Sequence, residues 1–202
     1  MIRALLFDMG NVLIRFDPHI ALERLRAKTL YSPNQMVELL KQWPVILDYE
    51  CGKIPTGEFF DALCSHLGLC DLNLEQFRDI WSSIFSEEML VRPSVLRSLK
   101  QRYRLMLLSN TNAIHFDFIR QRFPVLQEFD DLLLSYQLRL VKPDPRIFHE
   151  TVRRSQLAPE EIFYIDDVED NVAAARAIGI LGVRFQNEAQ LLEELRKRGL
   201  YF

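Results

Sequence analysis

The sequence predicts an α/β protein: a doubly wound parallel sheet with helices on both faces, interrupted by an inserted α-helical domain. Three observations predict it. From about residue 92 onward, short apolar runs alternate with amphipathic stretches, as parallel strands joined by helices do. A further apolar run, IRALLFD, stands at the N-terminus. Between them, from about residue 19 to 91, the pattern reads as entirely helical. A lone strand on a helical bundle would leave its backbone unpaired, so the first strand belongs to the later sheet. The expected division is a core of residues 1–15 and 92–202 and a helical insertion of residues 16–91.

Each element has a local reason. Ser32-Pro33-Asn34-Gln35 starts a helix, with serine as cap, proline at the first helical position and glutamine reaching back. That helix runs to about Trp43, where Pro44 is expected to end it, leaving LDYECGKIPTG as a loop. EFFDALCSHLG follows as a helix closed by Gly68. LEQFRDIWSSIF places Leu74, Phe77, Ile80, Trp81, Ile84 and Phe85 on one helical face. Beyond Arg92-Pro93, the runs RLMLLS, DDLLLS, EIFYID and LGVRF read as strands. The segments VLRSLKQ, AIHFDFIRQRF, RIFHETVRRS and NVAAARAIG, and a last segment from Asn187, read as helices between and after them.

A length of 202 residues with 49% hydrophobic content is enough to bury a full core. A net charge of -3, with 25 basic residues interspersed among 28 acidic ones, excludes a general nucleic-acid binder, which needs a basic stripe. No apolar run approaches the roughly 18 residues of a membrane helix, and no basic leader precedes the first strand, so a cytoplasmic location is expected. Three cysteines without a Cys-x-x-Cys pair read as reduced thiols. Cys64, His66 and Cys70 make a poor zinc site, because residues two apart point to different faces of a helix. Nothing in the pattern specifies an oligomeric state.

In a sheet of this kind ligands bind beyond the carboxyl ends of the strands. The unusual polar residues fall there: Asp8 ends the first strand, Ser109-Asn110-Thr111-Asn112 follows RLMLLS, Lys142 follows the next strand, and Asp166-Asp167 end IFYI with Asn171 beyond. Taken singly, each has an ordinary reading as a turn, a helix cap or a solvated charge. Taken together they make a chemical set. A carboxylate can attack phosphorus, provided that cations offset the repulsion between anions. Mg²⁺ is the suited cation, since it takes hard oxygen ligands from one or two carboxylates, a carbonyl and a phosphate. Asp8 and Asp167 would supply the carboxylates, and Gly10 would let its backbone carbonyl turn to the same ion. Ser109 and Asn110 would donate to phosphate oxygens, and Lys142 would add a point charge beside nucleophile and phosphoryl group.

FDMGNVLI, LLSNTN, VKPDP and YIDDVEDN resemble, in order and over nearly the whole chain, the four motifs of the haloacid dehalogenase-like hydrolase superfamily. The resemblance implies a Rossmann-like core, an Asp nucleophile at Asp8, phosphate binding by Ser109 and Asn110, and charge stabilisation by Lys142. It implies Mg²⁺ held by Asp8, the Gly10 carbonyl and Asp167, with Asp166 and Asn171 in support. The helical insertion resembles the cap domain that closes over such sites and selects substrates. The FDMGNVL form and the DYECGKIPTGEF loop look similar to bacterial glucose-1-phosphate phosphatases and to the phosphatase half of epoxide hydrolases. The partner so implied is a small phosphorylated metabolite.

One departure matters. Most phosphatases of the superfamily carry a second Asp two residues after the nucleophile, as general acid and base, and this chain has Gly10 there. Dehalogenases of the superfamily also lack it and work without a metal, but their fourth motif lacks the paired acids that Asp166-Asp167 preserve here. A metal-independent dehalogenase and a non-catalytic phosphometabolite binder are therefore the alternatives to a Mg²⁺-dependent phosphatase. Without the second Asp an activated ester such as a sugar-1-phosphate suffers least. Substitute acids are Asp17, His19, Asp48 and Glu50, and in the loop LDYECGKIP Glu50 and Lys53 are candidates for substrate selection. His115 and His149 lie on amphipathic helices and are expected to be structural or exposed.

Overall fold

The computed structural model describes residues 1–201. In chain order the elements are β1 (Ala4–Phe7), β2 (Ile14–Phe16), α1 (Pro18–Leu25), α2 (Pro33–Lys41), α3 (Pro44–Glu50), α4 (Thr56–Leu67), α5 (Leu74–Ser82), β3 (Phe85–Met89) and α6 (Pro93–Lys100). They continue with β4 (Arg104–Ser109), α7 (Ala113–Arg122), β5 (Asp131–Leu134), α8 (Ser135–Leu138), α9 (Pro145–Ser155), β6 (Ile162–Asp166), α10 (Glu169–Ala177), β7 (Leu181–Arg184) and α11 (Glu188–Lys197). The main sheet has the order β5-β4-β1-β6-β7, and each of its neighbouring pairs is parallel. β1 is thus the central strand, and all four of its residues are buried.

Alternation along the strands sends the core to both faces. Leu5, Phe7, Leu107 and Ile165 pack with α6 and α7 residues on one side. Ala4, Leu6, Met106 and Tyr164 pack against Ile147 and Phe148 of α9 on the other. The helices between β2 and β3 bury a separate cluster, in which Phe59 of α4 stacks on Tyr49 at 4.2 Å and Phe77 of α5 lies beside both Phe59 and Phe60. Among the described residues no helix is long and apolar enough to cross a membrane.

Three expectations are corrected. The segment from residue 19 to 91 is not entirely helical: β3 lies in it and pairs antiparallel with β2, so both chain crossings between sheet and insertion run as one ribbon. Pro44 does not open a loop. It ends the preceding helix and is also the first residue of α3, because proline lacks only an N–H that a first helical turn leaves unused, so Leu47 to Glu50 are helical. α5 stops at Ser82, and Phe85 is a strand residue rather than part of the helical face.

Among the contacts between insertion and core, one is sterically exacting. Gly52 has φ +61°, and a Cβ there would lie 2.0 Å from the Tyr136 carbonyl oxygen of α8. Only glycine permits that approach. One step away, the Ser135 hydroxyl accepts the Thr111 N–H at 2.9 Å and lies within donating distance of the Glu50 carbonyl at 2.8 Å and the Thr111 carbonyl at 2.9 Å.

Candidate active site

Register brings the acids together. Phe7 is paired with Ile165, so the next residues, Asp8 and Asp166, leave adjacent strands side by side. Lys142 arrives from the loop before α9 and reaches both, with Nζ 2.6 Å from Asp8 Oδ1 and 2.8 Å from Asp166 Oδ2. Its ammonium is almost completely buried, as is Asp166. Its backbone is fixed by Asn110, whose side chain accepts the Lys142 N–H at 2.8 Å and donates to the Lys142 carbonyl at 2.9 Å. The Asn110 side chain therefore positions the lysine. Ser109 is buried at the end of β4, with Oγ turned to the Asn110 carbonyl at 3.4 Å.

Asp166 is saturated. Oδ1 accepts from the Val168 N–H at 2.8 Å and from Asn171 at 3.1 Å, while Oδ2 accepts from Lys142 and from the hydroxyl of Tyr164. Tyr164 escaped the sequence reading, since it sits among the core residues of a buried strand and only its hydroxyl marks it as polar. Its ring also lies under the Lys142 ammonium, 5.9 Å from the centroid.

Oxygens of Asp8, Asp166 and Asp167 lie within 4.8 Å of one another, a group able to hold a metal ion. Burial, partly countered by Lys142 and reinforced by Asp166, pushes the Asp8 carboxyl up to about 6. Asp167, half-buried, is also raised, by burial and then by repulsion from Asp166. For Asp166 burial opposes ionisation, but Lys142 and its other donors win and hold it below the usual carboxylate range. Burial opposes the Lys142 charge as well, and the two carboxylates outweigh it and raise its pKa. One ammonium faces three clustered carboxylates, so the set has room for further positive charge.

Beside the acids lies a cavity of about 360 Å³. Met9, Gly10 and Ser109 to Thr111 form its floor, and its walls come from the insertion: Leu22 of α1, Leu40 of α2, Ile46 of α3, and Trp81 and Ile84. Glu50, the last residue of α3, lines it, and burial alone raises its carboxyl above the ordinary glutamate range. His115 lines it too: Nε2 is 3.0 Å from the Trp81 carbonyl, which can only accept, so Nδ1 accepts from the Asn112 amide at 3.1 Å. Burial takes its pKa down to about 4, leaving a neutral ring with both nitrogens committed. His115 is thus structural as expected, and His149 is exposed.

The remaining sequence candidates are placed elsewhere. Lys53 is exposed, paired with Asp48 at 2.7 Å and outside the cavity lining. Asp17 caps α1 by accepting the His19 N–H at 2.9 Å, and both residues are exposed. Of the four substitute acids, Glu50 alone lines the cavity.

Gly10 has a steric reason. An added Cβ would lie 2.7 Å from Cε1 of Phe16, whose ring covers the glycine. Gly10→Asp is therefore expected to lower stability by about 1–3 kcal/mol through overpacking, read as a lower Tm, with no gain in turnover.

A sequence model of the haloacid dehalogenase-like hydrolases matches residues 2–179. The chain is 28% identical to the D-ribitol-5-phosphate phosphatase of Bacteroides thetaiotaomicron over 201 residues, covering 96% of this chain and 97% of the relative. A HAD family enzyme from Bacteroides thetaiotaomicron, solved in complex with magnesium and inorganic phosphate, is 29% identical and superposes with a TM-score of 0.84 over 93% of this chain and 96% of the other. A structure described as a HAD-like family hydrolase from Porphyromonas gingivalis is 30% identical, with a TM-score of 0.85 over 100% of both chains. The buried Asp8–Lys142–Asp166 triplet therefore sits in a chain that belongs to the haloacid dehalogenase-like hydrolase family.

Proposed function

We propose that the protein is a Mg²⁺-dependent phosphomonoesterase that hydrolyses a small phosphorylated metabolite through an aspartyl-phosphate on Asp8. The observation that carries this reading is the excess of carboxylate over cation: Asp8, Asp166 and Asp167 gather around the single charge of Lys142. Asp166 has its oxygens occupied by Lys142, Tyr164, Asn171 and Val168, which leaves Asp8, Asp167 and the Gly10 carbonyl to hold the ion. All are hard oxygen donors, which suits magnesium. When bound, the ion supplies the charge that lets a phosphate dianion approach the carboxylates. The relatives support the reading, one as a phosphatase of D-ribitol-5-phosphate and one as a complex with magnesium and phosphate.

Within the protein the steps are these. Lys142 holds Oδ1 of Asp8 and so orients the other oxygen, which attacks phosphorus as the bond to the alcohol oxygen breaks. The leaving oxygen takes a proton. Water then cleaves the acyl phosphate, releasing inorganic phosphate and restoring the carboxylate. Ser109 and the Asn110–Lys142 clamp frame the phosphoryl group. Glu50 delivers the proton and recovers one from the attacking water, since its raised pKa keeps it protonated at a pH where an exposed glutamate is not. With Glu50 as acid, a sugar-1-phosphate holds no leaving-group advantage over an ordinary alkyl ester.

Phosphate release from p-nitrophenyl phosphate is expected with Mg²⁺, to vanish with EDTA and to return on adding the metal back. Full activity in EDTA, or chloride release from 2-chloropropionate, would overturn the reading. Glu50→Gln is expected to slow release of the alcohol from an alkyl phosphate about a hundredfold in single turnover, while the burst of p-nitrophenol from p-nitrophenyl phosphate, whose leaving group needs no proton, is kept and only the later water step slows. In the wild type, alkyl phosphate turnover should fall as pH rises through the raised Glu50 range, and this limb should disappear in the variant.

A further inference from the structure

Among the described residues, two buried side-chain polar atoms have no hydrogen-bond partner: Trp81 Nε1 and Thr111 Oγ1. Both residues line the cavity beside Asp8. Buried polar groups are rarely left unpaired, and two of them on residues that line one cavity point to a ligand that completes them once it is seated. Apart from Glu50 and Lys41, the rest of the lining that the insertion supplies is apolar, and Phe16 adds an aromatic wall over Gly10.

The other polar groups of the cavity are already committed. Both His115 nitrogens are paired, and the Asn110 amide clamps Lys142. Lys41 stands at the rim, mostly exposed and paired with Glu38 at 2.7 Å. A sugar or polyol carries a hydroxyl on nearly every carbon, and each needs a partner once it is desolvated. Trp81, Thr111 and the proton-donating Glu50 are too few to satisfy them.

We infer that the alcohol portion of the substrate is a compact, predominantly apolar group bearing one or two oxygens, which accept from Trp81 Nε1 and pair with Thr111 Oγ1. The inference rests on the phosphatase reading for its phosphoryl end and on the cavity for its organic end. The volume of about 360 Å³ lies in the range that holds a small organic ligand.

The test compares 2-phenoxyethyl phosphate, its oxygen-free isostere 3-phenylpropyl phosphate, ribitol 5-phosphate and glucose 1-phosphate, with p-nitrophenyl phosphate as a general reporter. The expected order of kcat/KM places 2-phenoxyethyl phosphate first, about ten- to a hundredfold above either polyol ester. Trp81→Phe keeps the ring packing and removes the donor, so it should bring the ratio between phenoxyethyl and phenylpropyl esters toward one. Calorimetric binding of the free alcohol 2-phenoxyethanol, stronger than that of ribitol and weakened by Trp81→Phe, gives a readout independent of chemistry. Turnover of p-nitrophenyl phosphate combined with preference for a polyol ester overturns this inference and leaves the phosphatase reading standing. Binding of 2-phenoxyethanol without hydrolysis of any ester supports the cavity assignment and overturns the phosphatase reading. Ribitol bound as tightly as 2-phenoxyethanol overturns the inference whatever the rates.

Discussion

Asp8→Asn is expected to reduce phosphate release by at least about a thousandfold while leaving the fold intact, because it removes the nucleophile and little else. The amide keeps an oxygen for the Lys142 hydrogen bond now made at 2.6 Å. It also relieves an ionisation that burial and Asp166 already oppose, as the carboxyl pushed up to about 6 indicates. Thermal unfolding should accordingly show a Tm equal to or above that of the wild type. Acid-quenched wild-type enzyme incubated with an ester should carry phosphate on Asp8, and the variant none. Activity surviving in Asp8→Asn with normal Mg²⁺ dependence would remove the covalent step from the scheme.

Lys142→Met should be the most destabilising single change at the site. The ammonium is buried and lies within 2.8 Å of two carboxylates, so its loss leaves Asp8 and Asp166 close together with no cation between them. Breaking a buried ion pair by removing one partner costs about 3–5 kcal/mol. For a chain of this length that corresponds to a Tm lower by about 6–20 °C. Methionine roughly matches the volume of the aliphatic stem, which separates the loss of charge from the loss of packing. Added Mg²⁺ should recover part of the Tm by supplying charge to the same carboxylates, whereas Na⁺ at equal ionic strength should not. Activity should fall with stability recovered, since the charge beside the attacking oxygen is not replaced in position.

The strand ends were legible in the sequence because their signal is local. A buried apolar run stops where its first strongly polar side chain appears, and Asp8, Ser109 and Asp166 mark three such stops on strands that the structure finds adjacent. What stayed hidden depended on contacts distant in sequence. The ribbon of β2 and β3 joins residues about seventy positions apart, and FSEEM has too little alternation to announce a strand. α3 is hidden in the sequence because one proline serves as the stop of one helix and the start of another. Lys53 and Glu50, three residues apart, looked equivalent as candidates. The first pairs with Asp48 in solvent, and the second turns into the cavity. Tyr164 carried no signal at all, since a tyrosine in a buried strand differs from phenylalanine only in what its hydroxyl meets.

The helical insertion hangs from the sheet by two strands that are bonded to each other. Neither can swing without the other, so a displacement of the insertion that frees its contacts at Ser135 and His115 must also twist that pair. Phe16 and Phe85 ride on the pair and also line the cavity, which ties the shape of the binding chamber to the twist angle. Admission of a solute and expulsion of its products would then follow the same coordinate in opposite senses.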